Sequence, residues 1–70
     1  EVKLYPNPVK DILHIQSTVE IDKVVIYDMV GAQVLTATSD LVDLSALKSG
    51  VYLINISSGE QLIQKKIIKD

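Results

Sequence analysis

The chain consists of short apolar segments that alternate with turn-forming residues from one end to the other. We predict seven strands, because each apolar segment is rich in Val, Ile, Leu or Tyr and is bounded by Gly, Pro, Asn, Asp or Ser. The predicted strands cover residues 2–5, 11–16, 21–28, 32–38, 41–44, 51–57 and 60–69. This pattern favours an all-β fold, an immunoglobulin-like β-sandwich of about seven antiparallel strands, with a small open barrel as the alternative.

Alternation within the strands predicts which side chains form the core. In the sixth strand Tyr52, Ile54 and Ile56 share one face, since successive side chains of a strand point to opposite faces. The third strand is apolar on both faces, with Val24 and Ile26 on one of them. We interpret this third strand as a central strand or as part of a contact surface.

Three connections between the strands carry local signals. Asp28 and Gly31 stand at the first and last positions of a turn, where these residue types are favoured, and they predict a hairpin. The Pro-Asn-Pro segment (residues 6–8) ends the first strand, and we expect it to be extended, rigid and unpaired because proline has no backbone donor. A tyrosine corner, in which the phenol hydroxyl donates back to the preceding connection, is predicted on Leu47, Gly50 and Tyr52.

Composition limits the protein to one small domain without covalent cross-links. The 70 residues, which we take as a single domain over 1–70, are 47% hydrophobic and include no Cys. Without Cys there are neither disulfides nor thiolate metal sites, and the net charge of -2 argues against a nucleic-acid partner. No apolar run reaches the roughly 20 residues that span a bilayer, and the start of the chain does not resemble a signal peptide. If the domain is exported, we expect it to be a fragment of a larger secreted precursor.

The sequence offers little catalytic or metal-binding chemistry. Ser45 and Lys48 have the Ser-x-x-Lys spacing of penicillin-recognising enzymes, but the other elements of those enzymes are missing from the sequence. His14 is the only histidine, and we expect an exposed strand residue rather than a ligand. We therefore predict that the protein is not an enzyme and binds no cofactor and no metal. Turn and strand-end roles, rather than a calcium loop, are predicted for Asp22, Asp28, Asp40 and Asp43.

The last predicted strand carries Lys65, Lys66 and Lys69, and it has lysines on both faces. Such charges suit an edge strand that is protected against aggregation. They equally suit a basic handle with which a partner pairs by β-augmentation. The Pro-Asn-Pro segment also has two interpretations, a recognition loop or a spacer between two strands. Unpaired edge strands would in addition permit a homodimer.

Four segments of the chain occur in a characteristic order. They are residues 5–15 (YPNPVKDILHI), residues 25–28 (VIYD) followed by Gly31, residues 44–52 (LSALKSGVY) and residues 65–69 (KKIIK). Together they resemble the type IX secretion system (Por secretion system) C-terminal sorting domain family. Each segment alone is a weak signal, but the ordered set covers nearly the whole chain.

The resemblance implies a C-terminal secretion and sorting signal on a larger protein of a Gram-negative bacterium. It implies an N-terminal cargo domain in the same precursor, which passes through the periplasm and the outer membrane and ends secreted or at the cell surface. It also implies two partners, an outer-membrane translocon that recognises the domain and a sortase-like peptidase that removes it when the cargo is anchored. The residues that we predict for recognition are Pro6, Asn7, Pro8, Asp28, Gly31, Leu47, Gly50, Tyr52, Lys65, Lys66 and Lys69.

Two other functions are compatible with the sequence. An adhesive or carbohydrate-binding accessory module of a surface enzyme would need exposed aromatic platforms, for which only Tyr5, Tyr27 and Tyr52 are available. Of these, we assign Tyr52 to the tyrosine corner. A structural spacer between the cargo and the terminus would need no particular surface, so any similar sandwich could replace it.

Overall fold

The computed structural model describes residues 2–70 and contains seven strands. They are β1 (Val2–Tyr5), β2 (Ile12–Ser17), β3 (Lys23–Tyr27), β4 (Gln33–Ala37), β5 (Leu41–Asp43), β6 (Gly50–Ser58) and β7 (Gln61–Lys69). The all-β prediction is confirmed, and the strand bounds differ from the predicted ones by no more than two residues. The described part of the chain contains no helix that is long and apolar enough to cross a membrane.

The strands form two sheets that pack as a sandwich. One sheet has three strands in the order β1-β2-β5, and the other has four strands in the order β4-β3-β6-β7. All neighbouring strands are antiparallel. In a constant-type immunoglobulin domain the fourth strand joins the sheet of the first, second and fifth strands, whereas β4 here pairs with β3. The seven-stranded sandwich is thus confirmed, and its immunoglobulin-like connectivity stays a prediction.

The core lies between the sheets and consists mainly of β-branched aliphatic side chains, which pack well on a pleated surface. Val24 and Ile26 of β3 are fully buried, as the alternation predicted, and β3 is a central strand of its sheet. Two buried residues, Val9 and Leu44, come from connections rather than strands. The buried core residues are Val2, Val9, Leu13, Ile15, Val24, Ile26, Val42, Leu44, Tyr52, Ile54, Ile56 and Ile67.

Several connections gather at one end of the sandwich. Antiparallel pairing places the end of β1 beside the start of β2, and the start of β2 beside the end of β5. In the other sheet it places the end of β7 beside the start of β6, with the end of β3 on the other side of β6. A bridge between Val9 and Lys69 joins the two sheets at this end. All four segments that carry the family resemblance therefore reach this end, which we call the motif end.

Candidate recognition surface

The Pro-Asn-Pro segment lies against the outer edge of β7. The Asn7 Oδ1 atom accepts a hydrogen bond from the backbone N–H of Ile68 at 3.0 Å. Directly after the segment, the N–H of Val9 donates to the carbonyl of Ile68 at 2.7 Å, and the N–H of Asp70 donates to the carbonyl of Val9 at 2.7 Å. The connection between β1 and β2 is thus joined by hydrogen bonds to the end of β7.

The Pro-Asn-Pro segment is also the place where the chain passes from one sheet to the other. β1 belongs to the three-stranded sheet, whereas Val9 pairs with β7 of the four-stranded sheet. The segment bends, and the peptide bonds before Pro6 and Pro8 are both cis. The bend makes the prediction of an extended segment wrong, whereas the backbone of residues 6–8 joins no strand, as predicted. Asn7 provides a side-chain acceptor for the edge of β7, next to prolines that have no backbone donor to offer.

The three lysines of β7 do not form one exposed cluster. Lys65 and Lys66 are exposed and lie on opposite faces of the strand. Lys69 is only 8% exposed, and its Nζ atom donates to the carbonyl of Asp70 at 3.2 Å. β7 is an edge strand, as predicted. The basic handle inferred from the sequence is therefore reduced to Lys65 and Lys66, because the ammonium group of Lys69 is held at the motif end.

The outer edge of β7 is open over its first part only. Ile68 directs its N–H and its carbonyl away from β6, where Asn7 and Val9 bind them. Because this direction alternates along an antiparallel strand, every second residue of β7 directs its backbone groups to the same side. Within residues 2–70, no strand pairs with these outward groups. The residues concerned are Leu62, Gln64 and Lys66.

An open groove runs between β1 and β7, the edge strands of the two sheets on this side of the sandwich. We call it the β1–β7 groove. It contains three lysines and no carboxylate, although the chain as a whole has nine acidic and seven basic residues. The groove therefore forms a locally basic surface on an acidic domain. It is lined by Val2, Lys3, Leu4, Tyr5, Asn7, Lys65 and Lys66.

Asp28 and Gly31 form the predicted turn between β3 and β4. The Asp28 Oδ1 atom accepts hydrogen bonds from the N–H groups of Val30 at 3.1 Å and Ala32 at 2.9 Å. The N–H of Gly31 donates to the carbonyl of Asp28 at 3.1 Å. Gly31 has a φ of 93°, in the left-handed region that glycine adopts without steric cost. Both residues shape the turn, which exposes Met29 and Val30 at the motif end.

The tyrosine corner is confirmed at the start of β6. Tyr52 is 8% exposed, and its hydroxyl donates to the carbonyl of Lys48 at 2.7 Å. Leu47, from the same connection, packs against the core, and Gly50 is the first residue of β6. These residues fix the connection between β5 and β6. A role for them in recognition stays a prediction.

The other candidates for chemistry have structural roles. The Oδ1 atom of Asp43 accepts a hydrogen bond from the N–H of Ser45 at 2.9 Å, and the hydrogen bonds from Ser45 lower the pKa of the Asp43 carboxyl. Asp22 accepts a backbone hydrogen bond from the β6–β7 turn at 2.7 Å. His14 is half-buried and stacks on Tyr5 with ring centroids 5.0 Å apart, so the prediction of an exposed histidine is wrong. Residues 2–70 contain no cluster of side chains suited to a metal ion.

Two residues of this surface were missed by the sequence interpretation. Lys3 lines the groove only because β1 and β7 lie side by side, and no local pattern indicates that proximity. Val9 is fully buried, and its one signal is that it is an isolated apolar residue between Pro8 and Lys10. An apolar residue inside a polar connection is a reason to expect a contact with the core.

The fold is a small β-sandwich with an open backbone edge, a basic groove and a hydrogen-bonded loop. The model of the secretion system C-terminal sorting domain family matches residues 3–70. The chain therefore belongs to this family, the sorting domains of the Por secretion system. Among the curated proteins, none matches the chain.

Membership of the family establishes the function at a coarse level. The chain is a C-terminal sorting domain of type IX secretion cargo, and domains of this family are generally non-catalytic signals. Such a domain interacts with the secretion machinery, and its cargo crosses the outer membrane to the surface. The resemblance inferred from four ordered segments is thus confirmed over nearly the whole chain.

Proposed function

We propose that the outer-membrane translocon of the type IX system recognises the folded domain at the Pro-Asn-Pro segment and the adjoining edge of β7. The observation that carries this proposal is the pair of hydrogen bonds that join Ile68 to Asn7 and to Val9. Through these bonds, two features that are far apart in the sequence form one continuous surface. A translocon that binds this surface would accept the folded domain and reject the unfolded chain.

Pairing with β7 would take the form of β-augmentation, in which a partner strand adds to a free sheet edge. Main-chain hydrogen bonds then supply affinity, and the neighbouring side chains supply specificity. The outward backbone groups of Leu62, Gln64 and Lys66 support this mode. Leu62 is also 66% exposed, so a partner could cover an apolar side chain beside the edge.

We further propose that the domain is the last part of a larger precursor with an N-terminal cargo domain. In this scheme the cargo reaches the periplasm by its own signal and is exported by the translocon. A sortase-like peptidase then removes the sorting domain and anchors the cargo at the cell surface. The family match supports the sorting role on which this scheme rests.

A reporter fusion tests the export role. A fluorescent protein would carry an N-terminal export signal and this chain at its C-terminus, in a strain with an intact type IX system and in a translocon-null strain. We expect fluorescence at the surface or in the medium of the intact strain alone. Retention of a folded, intact fusion in the periplasm of both strains would contradict the proposal.

Single substitutions in the same reporter test the recognised surface. Asn7→Ala removes the acceptor of the Ile68 N–H and leaves both prolines in place. Met29→Ala is the matched control, because Met29 is 61% exposed and also lies at the motif end. We expect export to fall severalfold for Asn7→Ala and to be unchanged for Met29→Ala, with circular dichroism showing that both domains fold. Normal export of Asn7→Ala would remove the Pro-Asn-Pro segment from the recognised surface.

Removal by a peptidase is tested by the mass of the exported reporter. In the intact strain we expect a reporter that has lost the mass of this domain, and in a peptidase-null strain a full-length one. A full-length reporter on the surface of intact cells would show that the domain is retained.

The carbohydrate-binding alternative gains no support from the structure. Tyr5 is 48% exposed, but its ring is already stacked on His14. Tyr27 is half-buried, and Tyr52 is held in the corner. The tyrosines therefore do not form the exposed aromatic platform that a sugar ring usually requires. Saturable binding in a sugar screen on the isolated domain would reverse this conclusion.

A further inference from the structure

We propose that the β1–β7 groove binds an extended, acidic peptide segment of a protein partner. The inference rests on the proposed function, because it assigns the surface and the ligand chemistry by which a secretion partner would hold this domain. Its two supports are the backbone edges that border the groove and the charges that line it.

Unpaired backbone edges border the groove on both sides. On the β7 side these are the outward groups of the first part of the strand. On the β1 side, the N–H of Ile15 in β2 donates to the carbonyl of Asp40 and therefore points away from β1. Leu4 of β1 is paired with Ile15, so the backbone groups of Leu4 point away from β2, toward the groove. Because the direction alternates along the strand, the backbone groups of Val2 point the same way. An extended peptide is a ligand that presents alternating N–H and carbonyl groups to such an edge.

The charges of the groove specify an acidic peptide. Lys3 lies on the β1 side, and Lys65 and Lys66 lie on the β7 side. Within residues 2–70 none of the three makes an ion pair, and no acidic side chain lines the groove. Lysines that border the groove without an ion-pair partner attract carboxylates and disfavour a basic ligand. Protection against edge-to-edge aggregation would also place lysines on β1 and β7, since both are edge strands, but only a ligand site predicts saturable binding of an acidic peptide.

The walls of the groove argue for a peptide rather than a nucleic acid. Among the lining residues, Leu4 is half-buried and contributes apolar surface to the groove. Three lysines in a domain of net charge -2 do not make the continuous basic stripe that follows a phosphate backbone. At the motif end, Asn7 lines the groove where the Pro-Asn-Pro segment crosses to β7. A short strand that alternates acidic and apolar side chains fits these walls, because its two faces would meet different surfaces.

The test uses the isolated 70-residue chain and a synthetic peptide of alternating Glu and Val. A length of about eight residues is that of an ordinary strand, and a Lys–Val peptide of the same length is the ligand control. Backbone amide NMR shifts follow the titration, and amide hydrogen exchange is measured at saturation. We expect saturable binding of the acidic peptide alone, weakened by salt, with slowed exchange at the outward amides of Leu4, Gln64 and Lys66.

Two double variants decide whether the groove is the site. Lys65→Glu with Lys66→Glu should weaken binding by about tenfold or more, a change of about 1.4 kcal/mol or more. Lys23→Glu with Lys48→Glu makes the same change in net charge at exposed positions outside the groove, and it should leave the affinity within about twofold. Because all four positions are exposed, both double variants should fold, which amide spectra would show.

Three results would overturn the proposal: no saturable binding of the acidic peptide, an equal loss of affinity in both double variants, or shifts confined to surfaces outside the groove. The outcome is independent of the export assay, because it is measured on the purified chain. Failure of peptide binding together with normal export removes the groove and leaves the sorting role in place. Failure of export together with groove-specific peptide binding would remove the sorting role and leave the groove as a peptide-binding site.

Discussion

At the scale of single residues, side-chain oxygens repeatedly bind backbone N–H groups that the sheets leave unpaired. Asn7 binds the edge of β7, Asp28 binds the β3–β4 turn, and Asp43 binds the connection after β5. Each of these bonds satisfies a backbone donor that has no partner in the sheets.

The hydroxyl of Tyr52 should have a measurable effect on stability. Tyr52→Phe removes the hydrogen bond to the carbonyl of Lys48 and leaves the ring in the core. We expect a loss of about 1 kcal/mol in the free energy of unfolding, which lowers Tm by about 4–8 °C in a small domain. Tyr27→Phe is the control, because no hydrogen bond of its hydroxyl occurs within the described residues, and it should stay within about 0.5 kcal/mol. Equal effects of the two changes would show that the corner is not stabilising.

The carboxyl of Asp43 should make stability depend on pH in the acid range. The backbone N–H and the side chain of Ser45 hold its folded-state pKa below the ordinary 3.8. A lowered folded-state pKa means that the stabilisation is fully present above the unfolded-state pKa and is lost as the pH falls through the folded-state value. Urea unfolding at a series of pH values below about 5 should therefore show a smaller acid-induced loss of stability in Asp43→Asn than in the parent chain.

Asp40 provides the control for this experiment. It lies at the other end of β5, and its carboxyl accepts no hydrogen bond within residues 2–70. Asp40→Asn should keep the pH profile of the parent chain more closely than Asp43→Asn does. If Asp43→Asn keeps the full acid-induced loss, the hydrogen bonds from Ser45 do not stabilise the folded state.

At the scale of elements, β7 contributes both to the core and to the proposed signal, and neighbouring residues separate the two roles. Ile67 is fully buried, whereas Ile68 is 45% exposed on the other face. Ile67→Ala should cost about 2–5 kcal/mol because it leaves a cavity in the core, and Ile68→Ala about 1 kcal/mol or less. If the folded domain is the signal, reporter export should fall for Ile67→Ala in proportion to the unfolded fraction. Full export of an unfolded Ile67→Ala domain would indicate a linear signal instead.

The sequence predicts the strands and turns of this domain, but not the contacts between segments that are far apart in the chain. Alternation at Val24, Ile26 and Ile54 gives the strands and their buried faces, because period-two patterns are local. The hairpin at Asp28 and the corner at Tyr52 are also local, since the partner atoms lie within four residues along the chain. Each of these features is therefore visible in a short stretch of sequence.

Contacts between distant parts of the chain could not be predicted in the same way. Asn7 and Ile68 are 61 positions apart, and nothing near either residue indicates the other. Lys69 is buried because the chain that follows the Pro-Asn-Pro segment crosses to the second sheet and pairs with it at Val9. The run of lysines near the end of β7 instead predicts a solvated, charged handle. The β1–β7 groove depends on the order of the strands in both sheets, which alternation does not encode. Residue-level expectations therefore hold for the strands, the hairpin and the corner, and they fail at His14, which stacks on Tyr5 of another strand, and where the Pro-Asn-Pro segment meets β7.

At the scale of the whole molecule, the last strand cannot be removed without removing the fold. Deletion of residues 60–70 takes away Ile67 and all of β7, and it leaves the nine residues of β6 as a new, apolar sheet edge. Such an edge is prone to aggregate. We expect the truncated cargo to stay in the periplasm, but loss of folding and loss of the signal would have the same effect. Normal export of the truncated cargo would contradict the sorting role of β7.

The edges of the intact domain also bear on its assembly. β1, β4, β5 and β7 each lie at the edge of a sheet, but the Pro-Asn-Pro segment and Val9 cover the end of β7. The homodimer considered from the sequence stays a prediction. Light scattering on the purified chain over a range of concentrations would distinguish a mass of 7.7 kDa from twice that value.

Replacement of the whole domain separates a signal from a spacer. An unrelated seven-stranded sandwich of similar size, fused to the same reporter, keeps the bulk and stability of the C-terminal domain but lacks the Pro-Asn-Pro segment and the β1–β7 groove. If the domain only separates the cargo from the terminus, the replacement should be exported at the level of the original. We expect the replacement to stay in the periplasm, folded and protease-resistant, because a translocon that reads a surface has nothing to bind. Folding of the replacement is the control that deletion of β7 cannot provide, so export of this fusion would favour the spacer over the signal.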